Sequence, residues 1–319
     1  MLTSGAWRLI TLNSKICSDF KIQVQHDFEK STITLPDAYD VGFIMNPLDD
    51  RGSYSSNLVK NNTNRVLEVE YDNDSLKISI DHTKVRLREF KQYKEFDNYN
   101  SFLFDTTNLS FAEILILLRK IFLLDKPCDV GFVYTQPLEY KQKYSTPNET
   151  HSFTLSSTIN KVDLIPGFNN ITSRDNAFLL AFLGFEESRL SRTLNPDEGN
   201  SYVQFAPVFC VPPFLTGWET HSLMAHSRVF EEYPPYEVYF SSAFGLMSSY
   251  NKIMQIKRQL GSRPLVLAPY GPKPSSIGVA LAAAQNKDLN IVYDFPKRIQ
   301  GRSSGIGITN YIKLSLNDR

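Results

Sequence analysis

Residues 264–286 read PLVLAPYGPKPSSIGVALAAAQN. The stretch opens on an apolar run, Pro264 to Ala268, turns on Gly271, Pro272, Lys273 and Pro274, and closes in an alanine-rich segment of helical composition. A short continuous apolar run bounded by Gly and Pro is the pattern of a strand buried on both faces. A strand that feeds a helix through a tight turn is half of a βαβ unit. This stretch therefore predicts an α/β protein.

The same grammar recurs on both sides of it. SFLFD (101–105), DVGFVYTQP (129–137), FLLAFLGF (178–185), APVFCVPPF (206–214), YEVYFSS (236–242) and NIVYDFP (290–296) are further strand candidates. TTNLSFAEILILLRKIFLL (106–124), GLMSSYNKIMQIKRQL (245–260) and SIGVALAAAQN (276–286) have helical spacing. Residues 96–319 are thus expected to form a Rossmann-like, doubly wound α/β domain on one mostly parallel sheet.

Residues 1–95 read as a β-rich N-terminal region. KIQVQHDFEKSTITL (21–35) and VLEVEYDNDSLKISID (66–81) each alternate polar and apolar residues around a polar turn, which predicts hairpins. MNPLDDRGSYSSNLVKNNTN (45–64) is polar and rich in turn residues, and predicts a long exposed loop. The charged stretch VRLREFKQYKEFDNYN (85–100) sets the expected boundary near residue 95.

Composition narrows the function classes. Lys plus Arg and Asp plus Glu both number 34, so the formal net charge is zero, which argues against a protein that coats nucleic acid. No apolar run approaches the ~18 residues of a membrane span, and the N-terminus lacks the layout of a signal peptide. Cys17, Cys128 and Cys210 are odd in number and far apart, which points away from a disulfide framework or a cysteine-rich metal site and towards a reducing, cytoplasmic compartment. His221 and His226 are five apart, so on a helix their rings diverge by about 140°, and no metal site is expected. Abundant Asn, Lys, Ile and Tyr fit an AT-rich bacterial coding bias.

In open α/β sheets, ligands bind beyond the carboxyl ends of the strands, where loops lead into helix N-termini. The residues just after each apolar run are therefore the candidates. Lys273 stands in a turn stiffened by two prolines, beside a helix start that Ser275 and Ser276 are placed to cap. A lysine at the positive pole of a helix is repelled unless an anion lies between them, so a phosphate or carboxylate is the expected occupant. Asp105, with Thr106 and Thr107, follows another strand and suits binding of a ribose, a metal-bound phosphate or a catalytic water, or else a plain cap on the following helix. Glu186 is the candidate general acid/base, and a facing ion pair between it and Arg189 is the plainer alternative. Arg189, Asp294 and Arg298 complete the candidate ligand-binding set.

The sequence names no cofactor. Its first functional reading is an enzyme or receptor for a phosphate-bearing small molecule, a nucleotide or sugar phosphate, with Asp105, Glu186 and Lys273 on one edge of one sheet. The alternative is a non-catalytic partner or sensor subunit of a bacterial multi-protein system, for instance in defence. That reading rests on surfaces for docking a protein partner.

Overall fold

The structure, a computed structural model, describes residues 20–28, 35–140, 153, 155–158, 162–171, 174–195 and 201–316. The fold is mixed α/β with seven α-helices among these residues and largely parallel sheets. The chain falls into two compact units: unit 1 comprises residues 1–110, 120–139 and 303–319, and unit 2 comprises 111–119 and 140–302. The expected boundary near residue 95 lies inside unit 1. None of the helices described is long and apolar enough to cross a membrane.

Unit 1 is built on β1 (Phe20–Phe28), β2 (Tyr39–Ile44), β3 (Thr63–Asp72), β4 (Lys77–Ile80), β5 (Thr83–Arg86), β6 (Ser101–Asp105), β7 (Cys128–Thr135) and β18 (Thr309–Leu316). They form one sheet in the order β1-β18-β7-β6-β2-β3-β4-β5. β7, β6, β2 and β3 run parallel, and β18 pairs antiparallel with both β7 and β1. The hairpin expected over 66–81 is present as β3–β4. The hairpin expected over 21–35 is not formed by β1, which pairs with β18 instead, and residues 29–34 lie outside the described residues.

The stretch read as a loop is a helix, α1 (Asp50–Asn61), capped by Asp49 through a 2.8 Å bond from Gly52 N–H. Its buried face is Arg51, Gly52, Ser55, Ser56, Leu58 and Val59. Half of that face is polar or charged, so the apolar period that announces a helix is broken in the sequence. The short helix α2 (Leu87–Phe90) follows β5. α3 (Phe111–Phe122) lies between β6 and β7 in sequence and spans the division, its first nine residues belonging to unit 2. β8 (Glu139–Tyr140) and β17 (Ser303–Ser304) mark where the chain leaves and re-enters unit 1.

Unit 2 contains β9 (Ser156–Thr158), β10 (Asp163–Leu164), β11 (Phe178–Phe182), β12 (Gln204–Cys210), β13 (Tyr239–Ser241), β14 (Leu265–Pro269), β15 (Leu289–Tyr293) and β16 (Lys297–Arg298). Its six-stranded sheet has the order β10-β15-β14-β11-β12-β13, parallel throughout except for β10. After the edge strand β10, the parallel part starts at the centre on β11, steps outward through β12 and β13, and returns to lay β14 and β15 on the other side. α4 (Glu187–Leu194), α5 (Trp218–Glu232), α6 (Leu246–Leu260) and α7 (Lys273–Gln285) connect these strands. β11, β14 and β15 are buried along their whole length, which is why they read as continuous apolar runs. The strand candidates are therefore strands, but they divide between two sheets rather than sharing one.

Candidate functional site

The strand order of unit 2 reverses between β11 and β14, so the loops at their carboxyl ends lead to helices on diverging paths. These loops are Leu183–Glu186 and Tyr270–Pro272. They pass close together: a Cβ on Gly184 would lie 2.6 Å from the Tyr270 carbonyl oxygen, so no larger residue fits there. Ser222 of α5 donates to the Gly184 carbonyl at 2.6 Å and ties a third element to the same edge.

Lys273 is the first residue of α7, with Pro272 as its N-cap and Pro274 in its first turn. No side chain caps this helix. Ser275 and Ser276, expected as caps, are buried one turn too deep. Ser276 donates to the Gly271 carbonyl at 3.2 Å, while Ser275 joins a hydroxyl chain. The reason is the register set by Pro272, which starts the helix before either serine is reached.

Glu186 precedes α4, but its carboxylate is engaged. It accepts from Leu155 N–H at 2.9 Å, Ser156 N–H at 2.8 Å and the Ser156 hydroxyl at 3.0 Å. It clamps that segment. Glu186 acts on Arg189 only through its charge, and the hydrogen bonds of Arg189 go to Asp294. The Arg189 Nε and Nη2 donate to Asp294 Oδ2 and Oδ1 at 2.7 and 2.6 Å, a bidentate pair buried in unit 2. The guanidinium lies 4.4 Å from the centre of the Tyr270 ring, and the Tyr270 hydroxyl is 2.6 Å from Thr193 Oγ1. Burial works against the Arg189 charge, but Asp294 outweighs it and holds the guanidinium pKa above its usual value. Arg298 sits on β16 opposite Ser156 of β9.

Asp105, Thr106 and Thr107 belong to the other sheet, in unit 1, so the expected single edge carrying Asp105, Glu186 and Lys273 does not exist. The sequence marks strand ends but not which sheet a strand joins. Asp105 is fully buried and accepts from Ser55 Oγ at 2.6 Å, Ser56 Oγ at 2.7 Å and Asn108 Nδ2 at 2.7 Å. Burial raises its pKa, against the pull of these donors. Thr106 Oγ1 donates to the Val133 carbonyl, and Thr107 Oγ1 donates to Ser55 Oγ and accepts from Thr135 N–H. This network fixes α1 to the strand ends. Nearby, Asp49 accepts from Arg51 Nε at 3.1 Å and Ser303 Oγ at 2.6 Å. Burial would raise its pKa, and Arg51, Ser303 and Gly52 together hold it below the usual value.

Two features of unit 2 escaped the sequence reading. The first is the hydroxyl chain Ser241–Ser249–Ser275, with Oγ–Oγ distances of 2.9 and 2.8 Å, which links the end of β13 to the first turns of α6 and α7. Ser241 closes a strand and Ser275 follows one, but Ser249 lies in a helical stretch that gave no signal. The second is a group of rings beside Glu186. Phe153 and Phe185 stack at 4.7 Å, Trp218 lies 5.5 Å from Phe185 and 5.3 Å from Tyr140, and His221 lies 5.5 Å from Phe153. Phe185 and Trp218 follow adjacent strands, which is the signal that would have grouped them.

No protein-family model matches the chain, and no curated protein matches it either.

Proposed function

We propose that unit 2 is a Rossmann-like, doubly wound domain whose carboxyl edge binds a phosphate-bearing small molecule, a nucleotide or a sugar phosphate. The observation that carries this reading is the place of Lys273: it opens a helix without a side-chain cap, on one of the two loops that flank the reversal of strand order. Numbered within the parallel sheet, the strands run 3-2-1-4-5, an order that supports dinucleotide-type folds. Helix N–H groups and an ammonium are complementary to a phosphate, and flanking prolines lower the entropy lost on holding it. Binding is favoured over catalysis, because the carboxylates of Asp105 and Glu186 accept four and three hydrogen bonds within the fold.

The test is a thermal-shift screen with inorganic phosphate, ribose 5-phosphate and nucleoside monophosphates, followed by titration calorimetry with whichever binds. A charge-assisted hydrogen bond is worth about 1.5–3 kcal/mol, so Lys273→Ala is expected to weaken binding roughly 10- to 150-fold. Lys273→Arg is expected to restore part of the affinity. Unchanged affinity in Lys273→Ala rejects the site. Exposed apolar side chains at and just before β13, Tyr236, Val238 and Phe240, favour a second reading, a partner or sensor subunit. Co-purification with another chain and no response to any phosphate compound would select it.

A further inference from the structure

The rings beside Glu186 are assembled from three places in unit 2. Trp218 is the first residue of α5, Phe185 follows β11, and Tyr140 and Phe153 belong to the segment that enters the unit. His221 stands one turn after Trp218, so both project from one face of α5, and Ser222 beside them holds the Gly184 carbonyl. The strand phenylalanines Phe182 and Phe209 are buried, whereas Tyr140, Phe185, Trp218 and His221 are half-buried. Single exposed apolar residues are ordinary, but four part-open rings in one cluster at the carboxyl edge of a parallel sheet mark a place where a ligand is received.

Two features decide what this cluster takes. The first is packing. Neighbouring rings among Tyr140, Phe153, Phe185 and Trp218 are 4.7 to 6.5 Å apart, the spacing of rings in contact, which leaves no room for a ligand between them. They form a platform rather than a cage. A platform suits a flat partner that stacks, while a compact cation is held best by rings on several sides. The second feature is position. Gly184 stands between the platform and the Lys273 turn: Phe185 follows it, its carbonyl is held by α5, and its Cα lies against the Tyr270 carbonyl. Lys273 opens α7 three residues beyond Tyr270. The rings and the phosphate site proposed above therefore flank one glycine on one sheet edge. A molecule with a phosphate at one end and a flat ring at the other matches both, which is the chemistry of a nucleotide. A sugar phosphate uses only the first.

We propose that the Trp218 platform stacks the base of a nucleotide whose phosphate is held at Lys273, so that the ligand class is nucleotides rather than sugar phosphates. The proposal rests on the phosphate reading of Lys273, and its test separates the two. Titration calorimetry of the full chain compares ribose 5-phosphate, the 5′-monophosphates of adenosine, guanosine, cytidine and uridine, and the four nucleosides. Stacking on an aromatic side chain is expected to make the best of the nucleotides bind roughly 5- to 150-fold tighter than ribose 5-phosphate. Trp218→Ala is expected to bring that nucleotide down to the affinity of ribose 5-phosphate, and Trp218→Phe to keep part of the advantage. Lys273→Ala is expected to weaken both compounds by the same factor. A readout that leaves the platform intact is fluorescence: in Trp7→Phe, where Trp218 is the remaining tryptophan, the nucleotide is expected to quench emission and ribose 5-phosphate is not. Equal affinity for nucleotides and ribose 5-phosphate, an advantage that survives Trp218→Ala, or emission indifferent to the nucleotide overturns the base platform and leaves the phosphate site standing. A nucleoside that binds through Trp218, with Lys273→Ala indifferent to phosphate, overturns the phosphate reading and the nucleotide assignment with it. No binding by any of these compounds overturns both.

Discussion

His226 is buried on α5 with Nδ1 2.8 Å from the Ser222 carbonyl, and burial pushes its pKa from 6.5 down to about 4. The folded state therefore binds fewer protons than the unfolded chain between these values. Its contribution to stability is full above pH 6.5 and is lost as pH falls towards 4. Urea denaturation at pH 7 and pH 5 is expected to differ by about 2 kcal/mol from this residue alone, a slope that His226→Gln removes. An equal slope in the variant would place the effect elsewhere. Asp105 has the opposite sign. Its pKa is raised, so its contribution is present at acid pH and is lost as pH rises through the folded value. The melting-temperature advantage of wild type over Asp105→Asn is expected to narrow as pH rises above the usual carboxylate range, and a constant gap would contradict this. Asp105 was legible as a special residue because it ends an apolar run. Its partners were not, because Ser55 and Ser56 lie some fifty positions earlier, in a stretch without apolar periodicity.

Two contacts between elements hold unit 2 together in ways that substitution can reach. A Cβ on Gly278 of α7 would stand 2.2 Å from the Leu246 carbonyl oxygen of α6, so the helices touch backbone to backbone there. Gly278→Ala is expected to cost about 1–3 kcal/mol or more, read by urea denaturation, because a carbonyl cannot swing aside as a side chain can. The Arg189–Asp294 pair joins α4 to the end of β15. Asp294→Ala leaves a buried guanidinium unpaired and is expected to cost about 3–5 kcal/mol. A loss below 1 kcal/mol would mean that the pair is solvated. At this scale strands were the most legible elements, since burial on both faces writes an unbroken apolar run such as LVLAP in β14. α1 was illegible because half of its inward face is Arg51, Ser55 and Ser56, residues that elsewhere signal a surface. The hint that survived was its cap, Asp49 followed by Asp50.

Across the whole molecule, the sequence revealed the strands but not their allocation, because a parallel strand is indifferent in composition to which neighbour it meets. The polar residues after the strands were read as one rim, and they belong to two units. The division also makes residues 1–95 an incomplete piece. They lack β6, β7 and β18, which lie between β1 and β2 in the sheet of unit 1. Expressed alone, 1–95 is expected to show no cooperative thermal transition, and a sharp one would reinstate the boundary near residue 95. The placement of β18 has a further consequence for synthesis. Every strand of unit 2 precedes it in sequence, while the first strand of unit 1 comes before them all. On the ribosome, unit 2 has all its parts in hand while β1 is still waiting for its neighbour and the side of β7 destined for β18 stays open. A nascent chain paused at that stage carries two unmet strand edges, and this is the interval in which a chaperone has most to do.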